Sequence, residues 1–252
     1  MNQQPLQVLT YNIHKGFNTG NQRFVLHQIR EALVAADADL LFLQETQGEH
    51  KHKEKHVINW PELSQIEFIA AGTWPYYAYG KNAIYADGHH GNAILSKFPI
   101  TSFENINVSP FKWASRSLLH GVIKLPQGSK ELHVLCVHLG LTGMERRPQL
   151  NSLCDRIDSH VPHDAHLIIA GDFNDWLGRA DRQFHDHLGL QEVFQVTHGK
   201  HARSFPVWMP ILPMDRIYYR GFTPIACERL AQKPWHLLSD HAPLAASFAY
   251  DR

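Results

Sequence analysis

The stretch DLLFLQE, Asp39–Glu45, places four apolar residues in a row and ends on a carboxamide and a carboxylate. A continuous apolar run this short reads as a strand buried on both faces, as central strands of a covered sheet are. Such a strand delivers Gln44 and Glu45 at its end. Working outward, LQVLTY (Leu6–Tyr11) reads as a buried strand leading to Asn12, and LHVLCVH (Leu132–His138) as another closing on His138. HLIIA (His166–Ala170) leads into GDFN, Gly171–Asn174. Late strands are read at Met214–Tyr219 and at Ala242–Phe248, the latter opening on SDH, Ser239–His241.

Between these runs, Asn21–Ala36 carries Phe24, Val25, Ile29, Leu33 and Val34 at helical spacing. Arg147–Ser159 reads as a helix with Pro148 tolerated in its first turn. The aromatic stretch Trp74–Tyr79 precedes strands at Asn92–Ser96 and Ser117–Leu125, and the polar stretch Gln47–Trp60 reads as a loop over the sheet edge. Strands often succeed one another through short turns, which suits packed sheets better than a doubly wound parallel sheet. With no internal repeat and no linker, a single domain over residues 1–252 is expected.

Apolar residues make up 44% and charged residues 19%, an ordinary globular composition without a disorder signal. The 24 basic and 24 acidic side chains balance, so bulk charge selects no partner; the basic excess of a non-specific nucleic-acid binder is missing. Three widely spaced cysteines without a CxxC read as reduced thiols, not a disulfide framework or zinc site. The N-terminus lacks the basic and apolar regions of a signal peptide, and no apolar stretch approaches the roughly 18 residues that span a bilayer. A cytoplasmic location is expected. The histidine-rich HKHKEKH, His50–His56, reads as a solvated charged segment in preference to a soft-metal site.

The strand-end side chains define a chemistry. Magnesium takes oxygen ligands, usually one or two carboxylates, with waters and substrate phosphate completing the shell. Glu45 suits a direct ligand, with Asp240 and Asn12 as helpers. In GDFN, Asp172 and Asn174 are two apart and would share a face of an extended segment. Asp172 would then orient or deprotonate a water and Asn174 donate to a phosphate oxygen, while Gly171 permits close backbone approach. His241 needs a carboxylate to fix its tautomer, and Asp215 in MDRIYY is the candidate. His138 is a second imidazole able to face the phosphate.

TYNIHKG, LLFLQE, GNAILSK, VLCVHLG, IIAGDFND, MDRIYY and SDHAPL resemble, in order, the signature segments of the endonuclease/exonuclease/phosphatase superfamily. This group includes deoxyribonuclease I, abasic endonucleases, inositol polyphosphate 5-phosphatases and neutral sphingomyelinases. The resemblance runs from Thr10 to Leu244 and is close to small single-domain bacterial members. It implies an α/β fold, a four-layered α-β-β-α sandwich of two packed mixed sheets with the site at one edge. It implies Asn12, Glu45 and Asp240 at a Mg²⁺ (or Mn²⁺) ion, Asp172 and Asn174 on the water and phosphate, and His138 and His241 around the scissile phosphate, with Asp215 orienting His241. His14, Asn92, Arg116 and Arg147 rank lower, as substrate-binding candidates. Two departures stand out. His14 occupies the place where abasic endonucleases commonly carry an acid, and His89 and His90 stand where deoxyribonuclease I-like enzymes carry a Glu.

A metal-dependent phosphodiesterase acting on nucleic acid is the leading expectation. Trp74, Tyr76, Tyr77, Trp113, Trp176, Trp208 and Trp235 form an aromatic inventory for stacking, most of which a core would absorb. Lys15, Lys112, Arg116, Arg146 and Arg147 are candidates for phosphate contacts. The alternatives are a phospholipid or inositol-phosphate head-group hydrolase, for which FPVWMPILP (Phe205–Pro213) offers an apolar loop, and a non-catalytic binding module of the same fold.

Overall fold

The computed structural model describes residues 4–109, 116–126 and 130–250, so Lys112 and Trp113 lie outside the described residues. In chain order the strands and helices are β1 (Leu6–Asn12), α1 (Leu26–Ala36), β2 (Leu40–His50), α2 (Lys51–His56), α3 (Gln65–Ala70), β3 (Tyr76–Tyr85), β4 (Gly88–Ser96), β5 (Ile100–Asn107) and β6 (Ser117–Ile123). Then come β7 (Leu132–His138), α4 (Gly143–His160), β8 (His166–Asp172), α5 (Arg179–Leu188), β9 (Gln191–Glu192), α6 (Val193–His198), β10 (Asp215–Arg220), β11 (Phe222–Arg229) and β12 (Leu244–Tyr250). They build two six-stranded mixed sheets, ordered β11-β12-β1-β2-β4-β3 and β5-β6-β7-β8-β10-β9.

The apolar run of β2 shows why four layers form. Leu40 and Phe42 point between the sheets, where they meet Val8, Ile94, Val134, Ile168, Ile217 and Leu244. Leu41 and Leu43 point the other way, onto Leu26, Ile29 and Leu33 of α1 and Ile66 and Ile69 of α3. Successive strand side chains alternate between faces, so a strand apolar on both needs a cover on both. Burying each such side chain stabilises the fold by about 1.5–3 kcal/mol. On the second sheet Leu135, Val137, Leu167 and Ile169 face Leu150, Leu153 and Ile157 of α4 and Phe184 of α5 in the same way. The result is the expected α-β-β-α sandwich.

Several local expectations are corrected. Gln47–Trp60 is not a loop: β2 runs to His50, and Lys51–His56 is helical, with the His50 side chain accepting from Lys53 N and Glu54 closing on His50 N. The first helix begins at Leu26, not Asn21: Asn21, at φ +57°, closes a 3-10 turn, and Val25, at φ −128°, is the last residue outside helical backbone. α4 begins at Gly143, ahead of the expected Arg147, because Thr142 and Glu145 form a capping box. The four edge strands, β3, β5, β9 and β11, have no counterpart among the strands expected from the sequence. The residues of β5 and β11 are largely exposed, so these two lack the apolar runs that mark the central strands. No helix among the described residues is long and apolar enough to cross a membrane.

Candidate active site

Strand register gathers the chemistry at one end of the sandwich. In one sheet Asn12 pairs with Gln44 across parallel β1 and β2. In the other, His138 pairs with Asp172 across parallel β7 and β8, and Asp172 with Asp215 across antiparallel β8 and β10. Asn12 Nδ2 then donates to Asp172 Oδ2 at 3.2 Å, joining the two sheets at this end. Gly171 is required for the approach of β8 to β7: at its φ of +149° an added Cβ would lie 2.0 Å from Val137 O.

His241, just before β12, is held against Asp215 by a 2.8 Å contact between Nδ1 and Oδ2. Ser204 Oγ donates to the same oxygen at 2.5 Å and accepts from Asp215 N at 3.2 Å. The other ring nitrogen of His241 faces Asp172 Oδ2 at 3.9 Å, too far to be tied, and His138 Nε2 lies 3.5 Å from that oxygen. Phe205 packs on the His241 ring with centroids 4.8 Å apart. Burial lowers the affinity of His241 for a proton, but the Asp215 and Asp172 carboxylates outweigh it and the ring is pushed up to about 10. Burial raises Asp172, reinforced by Asp215 and opposed by His241. Burial, and after it the Arg116 charge, drives His138 well below its ordinary range, so this imidazole is neutral.

Glu45 sits at an irregularity in the β2–β4 pairing with φ +56°. Its Oε2 is 2.5 Å from Lys15 Nζ. Burial opposes its charge, but His138 and the Lys15 ammonium outweigh it and hold the carboxyl well below the usual range. Because His138 is itself neutral, Lys15 is the effective partner. Among the described residues, four of the seven non-glycine positions at positive φ (His14, Lys15, Glu45 and Asn174) belong to this end of the molecule. Sparsely populated backbone of this kind persists where the surrounding structure holds it, commonly at functional sites.

The remaining candidates divide. Asn174 does not share an extended face with Asp172. At φ +50° the chain turns, so its N–H donates to Asp172 Oδ1 at 3.0 Å and its Nδ2 to Leu139 O at 3.0 Å. It orients the carboxylate. His14 N donates to Asn12 Oδ1 at 3.1 Å, and its Nδ1 is buried without a hydrogen-bond partner among the described residues. Asp240 is half-buried and accepts from Ser239 Oγ at 3.2 Å. Arg116 Nε reaches Leu139 O at 3.3 Å, close enough for its charge to act on His138. Asn92 is fully buried and donates to Ser117 O and Cys136 O, so it bridges the sheets and has no face for substrate. Arg147 is exposed on α4; its neighbour Arg146 is the one turned inward, donating to Gly140 O and lying 4.9 Å over the Trp176 ring.

Two residues here escape sequence reading. Ser204 lies far from any strand-end motif and reaches Asp215 only because the chain from Phe205 to Leu212 doubles back as a bridge. His90 stands out in the sequence only as a departure from the family pattern. Burial and then Lys15 pull it down to about 4, with Glu45 opposing, so it is a neutral ring beside Glu45.

Two donor sets bear on metal binding. Asp172, Asp215 and His241 have ligand atoms within 4.8 Å of one another. Asp215 Oδ2 already takes contacts from both His241 and Ser204, whereas its buried Oδ1 has no hydrogen-bond partner among the described residues. Glu45 fits a hard cation: its carboxylate is held charged, and the Lys15 ammonium already stands against it as a cation would. Asn12 Oδ1 accepts from His14 N at 3.1 Å, and the Asp240 carboxylate accepts from Ser239 Oγ at 3.2 Å.

Of the aromatic inventory, Trp74 and Trp235 are core, while Tyr76, Tyr77, Trp176 and Trp208 are exposed, contrary to the expectation that most would be buried. Tyr76 pairs with Ser96, itself opposite Leu40 at the start of β2, so Tyr76 and Tyr77 lie at the end away from Glu45. Trp176 comes two residues after Asn174, and Trp208 adjoins Val207, whose N–H donates to Asp240 O at 2.7 Å. Both residues thus belong to chain segments that border the site.

A model of the endonuclease/exonuclease/phosphatase family matches residues 9–241. The chain is 44% identical over 240 residues to the uncharacterized protein YbhP of Escherichia coli K12, covering 95% of this chain and 94% of that one. It superposes on an endonuclease/exonuclease/phosphatase from Beutenbergia cavernae with TM-score 0.76 at 17% identity, covering 98% of this chain and 72% of the other. A second structure, D. rerio TDP2 complexed with single strand DNA product, gives TM-score 0.69 at 21% identity, covering 97% and 99%. At these identities the two structures establish a shared fold.

Proposed function

The chain belongs to the endonuclease/exonuclease/phosphatase family, whose members hydrolyse phosphate esters, and from that premise we propose that it is a divalent-metal-dependent phosphodiesterase acting on unpaired or terminal nucleotides of a nucleic acid. One observation carries the reaction: His241 has Nδ1 tied to Asp215 while Nε2 stays open onto Asp172.

In this reading Asp172, oriented by Asn174 N and Asn12 Nδ2, accepts a proton from water as the water oxygen bonds to phosphorus. The ester oxygen leaves and takes its proton from His241 Nε2. Asp215, fixed by Ser204, keeps that nitrogen pointed at the phosphate. A divalent cation bound by Glu45, with Asn12 and Asp240, would offset the negative charge developing on the phosphate oxygens. Neutral His138 and the Arg116 guanidinium border the same space.

The substrate assignment rests on Trp176 and Trp208, exposed aromatic residues on segments that border the site, because stacking on aromatic side chains suits bases that are not paired. The likeness to TDP2 bound to single strand DNA product is consistent with it. The neutral formal charge limits the number of phosphates engaged, so a shallow salt dependence equivalent to about two or three phosphate contacts is expected. Phospholipid hydrolysis is the second reading, favoured by the exposure of Trp208, Met209 and Ile211 on one apolar loop. Purified protein with Mg²⁺ or Mn²⁺ should cleave a single-stranded oligonucleotide faster than duplex DNA or phospholipid vesicles. If vesicles are turned over and oligonucleotides are neither bound nor cut at low salt, the lipid reading replaces this one.

A further inference from the structure

A cleft of about 740 Å³ opens on the side of the sandwich where β11 edges one sheet and β9 the other. We propose that this cleft binds a small phosphorylated ligand bearing an apolar or aromatic moiety, separately from the reaction site.

Charge is the first argument. Lys200, Arg203 and Arg229 line the cleft against one carboxylate, Glu228, so three cations less one anion leave a formal +2. Among the described residues the Lys and Arg ion pairs involve Lys15, Lys97, Lys130 and Arg156, and none of these three. Arg229 is positioned by donating one guanidinium nitrogen to Arg203 O at 2.8 Å, which leaves its second terminal nitrogen for a ligand. Guanidinium groups offer phosphate paired, planar donors. This cationic character is local. The adjoining cleft of about 480 Å³ is lined by Asp181, Asp186 and Glu192 against Arg182, so its carboxylates prevail.

His201 stands between the two clefts, with Nδ1 3.1 Å from Glu192 and Nε2 2.6 Å from Asp181. Both of its nitrogens are occupied, so it serves as a fixed wall whose charge is already matched. The cleft also has an apolar surface, from Phe194, Ala202 and Cys227. Its volume falls within the roughly 300–1,000 Å³ of small-molecule sites. An anion alone would leave that apolar surface wet; a phosphorylated molecule with a ring or chain would cover it.

Binding here requires no turnover at Asp172, so its test is independent of the reaction proposed above. Inorganic pyrophosphate and a nucleoside diphosphate are titrated calorimetrically in EDTA, which keeps divalent cations from holding either probe at Glu45. Both probes should bind, the nucleoside diphosphate more tightly. The double variant Lys200→Glu/Arg203→Glu should weaken binding about tenfold or more, a loss of about 1.4 kcal/mol. Arg203→Lys should weaken it less, and Glu45→Gln should leave it unchanged, with thermal melts confirming that each variant is folded. Absence of binding by both probes at millimolar concentration overturns the assignment, as does affinity indifferent to the charge reversal or abolished by Glu45→Gln.

Discussion

His201 and His241 each stand between two carboxyl groups, yet the two rings are held differently. His201 engages both nitrogens, with Glu192 at 3.1 Å and Asp181 at 2.6 Å, and Tyr218 donates to the second oxygen of Asp181 at 2.5 Å. His241 engages one nitrogen, with Asp215 at 2.8 Å, and its other lies 3.9 Å from Asp172. Residue types are alike. In the proposed reaction the ring with one nitrogen left untied is the reactive one, and the ring tied at both nitrogens is a structural clamp.

The largest expected effect tests that contrast directly. Asp172→Asn and His241→Ala should each lower kcat on the order of 10²-fold or more, whereas Asp181→Asn, beside the clamped ring, should leave kcat within a few-fold. The double variant Asp172→Asn/His241→Ala should lose less than the product of the single losses, because groups acting as a unit are not additive. Comparable losses at Asp181 and Asp172 would break the distinction. Glu45→Gln comes next. It should remove most activity at low Mg²⁺ and recover part of it as Mg²⁺ is raised, since an amide is a poorer ligand for a hard cation. Unchanged metal affinity, measured by Mn²⁺ titration, would exclude Glu45 as a ligand.

Ser204→Ala should have a smaller consequence, a several-fold loss of kcat with KM little changed. One hydrogen bond to a charged group contributes roughly 1.5–3 kcal/mol, only part of which bears on the reacting geometry. Ser204→Thr, which keeps the hydroxyl, should restore the rate; a serine needed only for packing would not discriminate between the two replacements.

The smallest effect sharpens the other side of the comparison. Burial lowers the proton affinity of His201, but hydrogen bonds to Asp181 and then Glu192 outweigh it, and its pKa is raised. A raised folded-state pKa stabilises fully below the unfolded value, about 6.5, and the contribution is lost as pH climbs through the folded value. Urea midpoints of the native protein should therefore fall on going from pH 6 toward pH 9 more steeply than those of His201→Gln. Parallel pH profiles would mean that the clamp adds no proton-linked stability.

Much of the site is legible in the sequence because its residues sit at the ends of apolar runs. LLFL, LHVLCVH and HLIIA announce central strands, and the polar residues that end a central strand emerge at a sheet edge. The failures have equally local causes. Strand alternation misplaces Asn174, because the chain leaves the strand at that residue through a positive φ. Asn92 is a candidate only through the resemblance, at a position more often architectural, and its amide indeed faces the opposite sheet. Arg147 and Arg146 are adjacent, and only the true start of α4 at Gly143 shows which one turns inward.

Apolar runs and their polar terminations are local patterns, so the buried strands, the two covered faces of β2 and the identity of the groups at the strand ends can be read from the amino-acid order. Tertiary structure alone decided that Asn12 of one sheet would meet Asp172 of the other, that Ser204 would secure Asp215, and that His241 would keep a nitrogen free while His201 would not. Those contacts join residues far apart in the chain. They depend on strand register, on the packing of one sheet against another and on where loops return, none of which is encoded within a single run of residues.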